Sequence, residues 1–200
     1  MVEAGFTVWG DSISGNCQKV RFVARRLSIA HTWRETSVLD GETRSPAFLA
    51  LNPAGQVPIA VWPDGRVLAQ SNAIMLHLAE GSDLIPSDAW DRAQMFQWLF
   101  WEQYSHEPAI AVRRFQVHYL KRPDPDIDPA LMTRGRAVLA IMDSHLATRA
   151  WFVGPRLSLA DLALVAYTRL AHEGGFDLAD FPAVAAWVTR VEAEPGVSGA

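Results

Sequence analysis

The chain has 200 residues, half of them hydrophobic and a fifth charged, with a net charge of −4. That length can bury a substantial core in one large domain or two small ones, and the mild acidity gives no long-range attraction to nucleic acid or to an anionic membrane. Cys17 is the single cysteine, so an intramolecular disulfide is excluded and a cytoplasmic location is expected; no apolar run has the length of a membrane span, and Met1-Val2-Glu3-Ala4-Gly5 lacks the basic-then-apolar pattern of a secretory signal.

Phe6-Thr7-Val8-Trp9 alternates and predicts a first strand. Gly10 to Asn16 is rich in turn residues. From Cys17 onward, Val20, Val23, Ala24 and Leu27 recur at helical spacing, with Lys19, Arg21, Arg25 and Arg26 on the other faces, which predicts an amphipathic helix ending near Ala30. Thr32 to Val38 reads as a second strand. After a loop through Gly41 and Arg44, a short helix is expected over Pro46 to Leu51. Val57 to Val61 and Val67-Leu68 form a hairpin across Pro63-Asp64-Gly65. A helix follows from Asn72 to Ala79, and the polar stretch 81–87 reads as a linker. Beyond it everything is helical: Asp88 to Lys121, with Pro108 expected to kink or break it; then Pro129 to Thr148, Ser158 to His172, and Pro182 to Glu194. Ser158-Leu159-Ala160-Asp161 has the spacing of a reciprocal N-terminal cap. The expected architecture is α+β in two domains, a β-α-β-β-β-α unit over 1–80 and an all-α unit over 88–200.

The stretch Asn52-Pro53-Ala54-Gly55-Gln56-Val57-Pro58 and the later Gln70-Ser71-Asn72-Ala73-Ile74 carry the chemistry. Pro58 stands where a strand begins, a position that tolerates a missing N–H. With a cis bond before Pro58, the Val57 backbone would turn its N–H and C=O outward, where an extended peptide can pair with it as an added strand. Gln70 and Ser71 lie beside the free N–H groups of the next helix, which suit a carboxylate. Together they read as a receptor for a small peptide-like anion. The plainer alternative is a hairpin followed by a capped helix with no ligand.

These residues resemble the glutathione-binding segment of cytosolic glutathione transferases, with bacterial theta-, beta- and nu-like members the nearest in pattern. The resemblance implies a thioredoxin-like N-terminal domain, an all-α C-terminal domain, and glutathione as co-substrate. It implies main-chain pairing of glutathione at Val57 beside Pro58, the γ-glutamyl group at Gln70 and Ser71, and the glycine carboxylate at Arg44, helped by Gln56. At the start of the first helix it offers three contacts for the glutathione sulfur. Ser14 matches the serine of theta-like members, and Ser14 with Asn16 matches the Thr and Asn of nu-like ones. Cys17 matches the cysteine of the beta class. Ser12 comes third, early in the turn. Trp101, Tyr104 and Pro108 fall on one helical face and are expected to wall the pocket for an apolar electrophile. The resemblance also implies a homodimer with the helix around Trp90 to Tyr104 at its interface, and a structural role for the Ser158–Asp161 cap. The six histidines show no metal-ligand spacing, so no metal is expected.

Two rival readings follow from the residues. Gly10-Asp11-Ser12-Ile13 resembles the nucleophile turn of a serine hydrolase family, but no Asp-x-x-His stands late in the chain to activate Ser12. A glutathione-transferase-like interaction module without catalysis is the other. Within the enzyme reading, disulfide reduction with two glutathiones stands beside conjugation, because it needs no protein cysteine.

Overall fold

The computed structural model describes residues 5–197; the N-terminal stretch expected to lack a secretory signal lies largely outside them, as do the last three residues. The chain divides into two compact units, one formed by the residues up to Ser82 together with the segment beginning at Pro195, the other spanning Asp83–Glu194. The return of the C-terminal segment to the first unit is held by Gly196, whose Cα sits so close to the Arg26 backbone that a Cβ there would overlap it.

In the first unit, β1 (Phe6–Gly10), α1 (Gly15–Arg26), β2 (His31–Glu35), α2 (Pro46–Leu51), β3 (Ile59–Val61), β4 (Val67–Ala69) and α3 (Ser71–Leu78) follow one another. The sheet runs β2-β1-β3-β4, with β1 parallel to β2 and antiparallel to β3, so Val8 stands between Trp33 and Ala60. The β1-α1-β2 crossover forces the parallel pair, and the short Pro63-Asp64-Gly65 connection makes β4 antiparallel to β3. Phe6, Val8, Val20, Phe22, Val23, Ile59, Ile74 and Met75 have no exposed surface and form the core between sheet and helices. Each contributes roughly 1.5–3 kcal/mol by leaving water.

Two boundaries differ from the sequence expectation for a visible reason. α1 begins at Gly15, two residues early, because Ser14 caps it. β2 stops at Glu35 instead of continuing to Val38, because the chain is diverted there: Glu35 bonds to Ser12 and the Val38 N–H is taken by the Asp11 carboxylate at 2.8 Å.

The second unit contains α4 (Ala89–Trp101), α5 (Glu107–Arg114), α6 (Pro129–Leu146), α7 (Leu159–Thr168) and α8 (Pro182–Glu192). Pro108 does not break the helix. The turn Glu102–His106 before it widens to π-helix, with the Glu107 N–H bonded to the Glu102 carbonyl. The wider turn carries the chain past the bond that proline cannot make and the carbonyl its ring would strike. The cap of α7 is built as its spacing implied, and is larger. Asp161, fully buried, accepts from the Ser158 N–H (3.0 Å) and hydroxyl (2.9 Å), the Phe152 N–H (3.0 Å) and the Trp187 indole (3.0 Å). Burial pushes its carboxyl up, and those four donors pull against it. No described helix is long and apolar enough to cross a membrane.

Candidate functional site

The turn between β1 and α1 is held by two carboxylates that the sequence did not single out. Asp11, buried, accepts from the Ile13 N–H at 3.0 Å and the Val38 N–H at 2.8 Å. An Asp bonding the backbone two residues on is an Asx-turn, and that spacing is the signal that would have found it. Glu35 accepts the Ser12 N–H and the Ser12 hydroxyl, each at 2.7 Å, and the Trp33 indole at 2.7 Å. Partial desolvation raises the Glu35 carboxyl, but these donors and the nearby Arg21 outweigh it and hold it below the ordinary glutamate value.

Ser12 is therefore spent. Its proton goes to Glu35 and its oxygen takes an Arg21 N–H at 3.3 Å. No described histidine belongs to that cluster, so the base that a hydrolase serine needs is missing from it. Ser14 lies differently. It is half-buried at the N-cap of α1, its Oγ accepting the Cys17 N–H at 3.4 Å. A capping hydroxyl accepts from the helix and has one hydrogen to give, and at Ser14 that hydroxyl also hydrogen-bonds the Cys17 thiol.

Cys17, another of the three candidates, faces inward. Its thiol is fully buried between α1 and the sheet, packed toward Gly10, and burial pushes it up to about 12 despite the hydrogen bonds at Ser14 and Asp11 that favour the thiolate. Burial and a raised pKa are the surroundings of an unreactive thiol.

Asn16 is joined to the other end of the candidate site. Its Oδ1 accepts the Lys19 ammonium at 2.8 Å and the Ser71 hydroxyl at 3.2 Å, across 55 residues of sequence. Ser71 is buried and opens α3; Gln70 before it is exposed and held at φ 71°, ψ 114°, a conformation that non-glycine residues adopt rarely. The Val57–Pro58 bond is cis. Val57 is half-buried, and among the described residues neither its N–H nor its C=O has a hydrogen-bond partner. Asn52 shapes the approach to it, its side chain donating to the Gln56 carbonyl at 2.8 Å and accepting the Ala54 N–H at 3.2 Å. Arg44 lies along the same turn, its guanidinium donating to the Ala54 carbonyl at 3.4 Å and standing close to Gly55. Gly55 has φ 62°, and a Cβ there would run into that guanidinium. The Gln56 side chain is exposed.

In the second unit, Tyr104 and Pro108 share a cleft of about 370 Å³ with Ser105, Ala109 and, from α6, Arg134, Ala137 and Val138. Trp101 does not line that cleft; its ring packs edge-on to Trp98 at 5.2 Å and near His106 at 6.1 Å. Among the described residues no group of three His, Cys, Asp or Glu side chains is placed to hold a metal.

The family profile of the glutathione S-transferase N-terminal domain matches residues 13–80, and that of the C-terminal domain matches residues 109–195. The crystal structure of a glutathione S-transferase from Pseudomonas fluorescens superposes with a TM-score of 0.92 at 42% identity, covering 96% of each chain. Ure2p in complex with glutathione superposes with a TM-score of 0.87 at 25% identity, over 97% of this chain and 96% of that one. Among curated proteins, mouse glutathione S-transferase theta-1 is 31% identical over 93% of this chain and 82% of its own length. The chain spans only 66% of the length of the URE2 protein of Eremothecium gossypii, to which it is 27% identical. Both halves of the fold and both profiles agree: this chain belongs to the glutathione S-transferase family.

Proposed function

We propose that the protein is a glutathione transferase that uses Ser14, with Asn16, to stabilise the thiolate of bound glutathione for attack on an apolar electrophile. The observation that carries this reading is the hydrogen bond between Ser71 and Asn16, which ties the N-terminus of α3 to that of α1 within the first unit. A γ-glutamyl group held at Gln70 and Ser71 then has its sulfur directed toward Ser14, while Val57 offers the cysteinyl moiety an unused N–H and C=O and Arg44 and Gln56 take the glycine end. The glutathione complex of a relative of the same fold supports that ligand. In the step itself the thiol proton goes to solvent, the thiolate forms a bond to the electrophilic carbon, and the displaced group leaves with its electron pair. The helix N-terminus and the Ser14 hydroxyl favour the sulfur anion. Tyr104 and Pro108 are the proposed lining of the second-substrate pocket, while Trp101, expected beside them, packs on Trp98. A cytoplasmic detoxifying homodimer is the setting this reading implies.

Asn16 beside Ser14 also favours a second activity, reduction of a disulfide by two glutathiones. One thiolate forms a mixed disulfide and releases the first substrate sulfur; the second displaces the other as glutathione disulfide forms. The burial of Cys17 is compatible with this because the chemistry takes place on glutathione. Calorimetry with reduced glutathione tests the binding site. Assays with a chloronitrobenzene and with a small hydroxyalkyl disulfide then separate the activities. Binding with turnover of either substrate is expected; binding without turnover is the outcome for an interaction module, and absence of binding defeats the reading.

A further inference from the structure

The cleft of about 370 Å³ in the second unit joins two kinds of lining. Pro108, Ala109, Ala137 and Val138 give it apolar walls, and Tyr104, Ser105 and Arg134 bring polar groups. That size, and that mixture of apolar wall with a few polar groups, are those of a small-molecule site. The sequence explains the opening. The π-turn that precedes Pro108 supplies Tyr104 and Ser105, and the two alanines put only a methyl group each into the space. The polar groups have donors to spare. Neither the Tyr104 nor the Ser105 hydroxyl has a hydrogen-bond partner among the described residues. Arg134 gives its Nε–H to the Ala130 carbonyl at 3.3 Å and stands 3.6 Å from the Asp128 carboxylate, which is longer than a hydrogen bond. Asp128 is itself the cap of α6, accepting the Ala130 N–H at 2.9 Å. Among the described residues no carboxylate lines the cleft itself, so its one charge is positive.

We propose that the cleft takes an amphipathic anion, so that the second substrate is an aromatic electrophile bearing a carboxylate. Its ring lies against Pro108 and Val138, and its carboxylate meets the Arg134 guanidinium and the hydroxyls of Tyr104 and Ser105. This rests on the glutathione transferase reading and narrows its substrate from an apolar electrophile to a charged class. A guanidinium offers a carboxylate two parallel N–H donors, and each hydroxyl adds one more. The chemistry is unchanged: the glutathione thiolate bonds to the ring carbon, a halide leaves with its electron pair, and the carboxylate takes no part. Asp128 competes with the substrate for the same guanidinium, which fixes the sign of a second effect: removing the Asp128 charge favours the anionic substrate. On the same helix Arg136 is already paired with Asp180 at 2.8 Å. The Arg134 side chain is 59% exposed, so its pairing with a carboxylate is screened by water and salt and its effect is modest.

The test uses a chloronitrobenzoate and its neutral methyl ester as paired substrates, and nitrobenzoate, which has no halide to lose, as a binding probe. The measured quantity is the ratio of kcat/KM for the carboxylate to that for the ester, because the intrinsic reactivities of the two cancel when variants are compared. Arg134→Gln is expected to lower this ratio roughly three- to fivefold, the size of one exposed ion pair, and to weaken nitrobenzoate binding by a similar factor. Asp128→Asn, which keeps a good helix cap, is expected to raise both. Added salt lowers the wild-type ratio and leaves that of Arg134→Gln nearly level. Opposite signs for the two variants cannot come from packing alone. An unchanged ratio in Arg134→Gln, or a ratio that falls in both variants, overturns the proposal. So does a wild type that gives no heat with nitrobenzoate, which is also the result if a second copy of the chain covers the cleft. Absence of glutathione binding defeats the transferase reading separately, and calorimetry with nitrobenzoate alone then still decides whether the cleft takes an anion.

Discussion

Ser12 and Ser14 stand two residues apart in one turn, and their hydroxyls have different work. Ser12 gives its proton to Glu35 and fastens the turn to β2; Ser14 caps α1 beside Asn16. Replacing Ser14 by alanine is accordingly expected to raise the pKa of bound glutathione and to slow conjugation by roughly 10²-fold, within the range for removing one donor from a developing anion. Ser12→Ala is expected to act on the stability of the turn and to leave the thiol pKa in place. Ultraviolet titration of the two complexes separates them. Cys17 yields a different prediction. Its thiol ordinarily ionises near 9.0, and burial holds it up to about 12 in the folded chain. Below pH 9.0 the thiol is neutral folded or unfolded, so its contribution to stability is fully present. Between 9.0 and about 12 only the unfolded chain ionises it, and stability falls through that window. Urea unfolding across the alkaline range should show this loss in the wild type and less of it in Cys17→Ala. Native protein at neutral pH should resist alkylation by iodoacetamide, and rapid native alkylation would contradict the burial.

At the scale of elements, the start of α7 carries more than a local cap. Asp161 binds the helix end at Ser158, the loop at Phe152 and α8 through the Trp187 indole. Asp161→Ala leaves three buried N–H donors without their acceptor, and is expected to cost about 3 kcal/mol or more. Chemical denaturation measures it, with Asp161→Asn recovering part of the loss. The helix around Pro108 shows how a sequence rule is absorbed by geometry. Proline excludes an ordinary α-turn, and the chain answers with one π-turn, keeping the helix continuous from α4 into α5.

Across the whole molecule, Trp90 and Phe100 of α4 remain 71% exposed and Tyr104 beyond it 88% exposed. Large aromatic surface left open on a helix is the kind of surface that a second copy of the chain covers. The protein is expected to sediment as a dimer, and Phe100→Glu to shift it toward monomer; a monomeric wild type would remove the homodimer from the functional reading.

Strand alternation from Phe6, helical periodicity after Cys17, the Pro-Asp-Gly turn and the Ser158–Asp161 spacing were enough to set the order of elements, because each is a local matter of backbone preference and apolar period. Ser14, Val57 and Ser71 could be nominated in the same way, since caps and proline positions are local too. The different surroundings of Ser12, Ser14 and Cys17 are not local. They depend on Glu35 crossing from β2 to take Ser12, and on the sheet closing over the Cys17 thiol. The Lys19–Asn16–Ser71 contact likewise joins residues 55 positions apart. Sequence periodicity marks which side of a helix is apolar. Which polar groups on that side meet, and which lose water, is decided only when distant elements pack, because burial and hydrogen bonding are properties of the assembled fold.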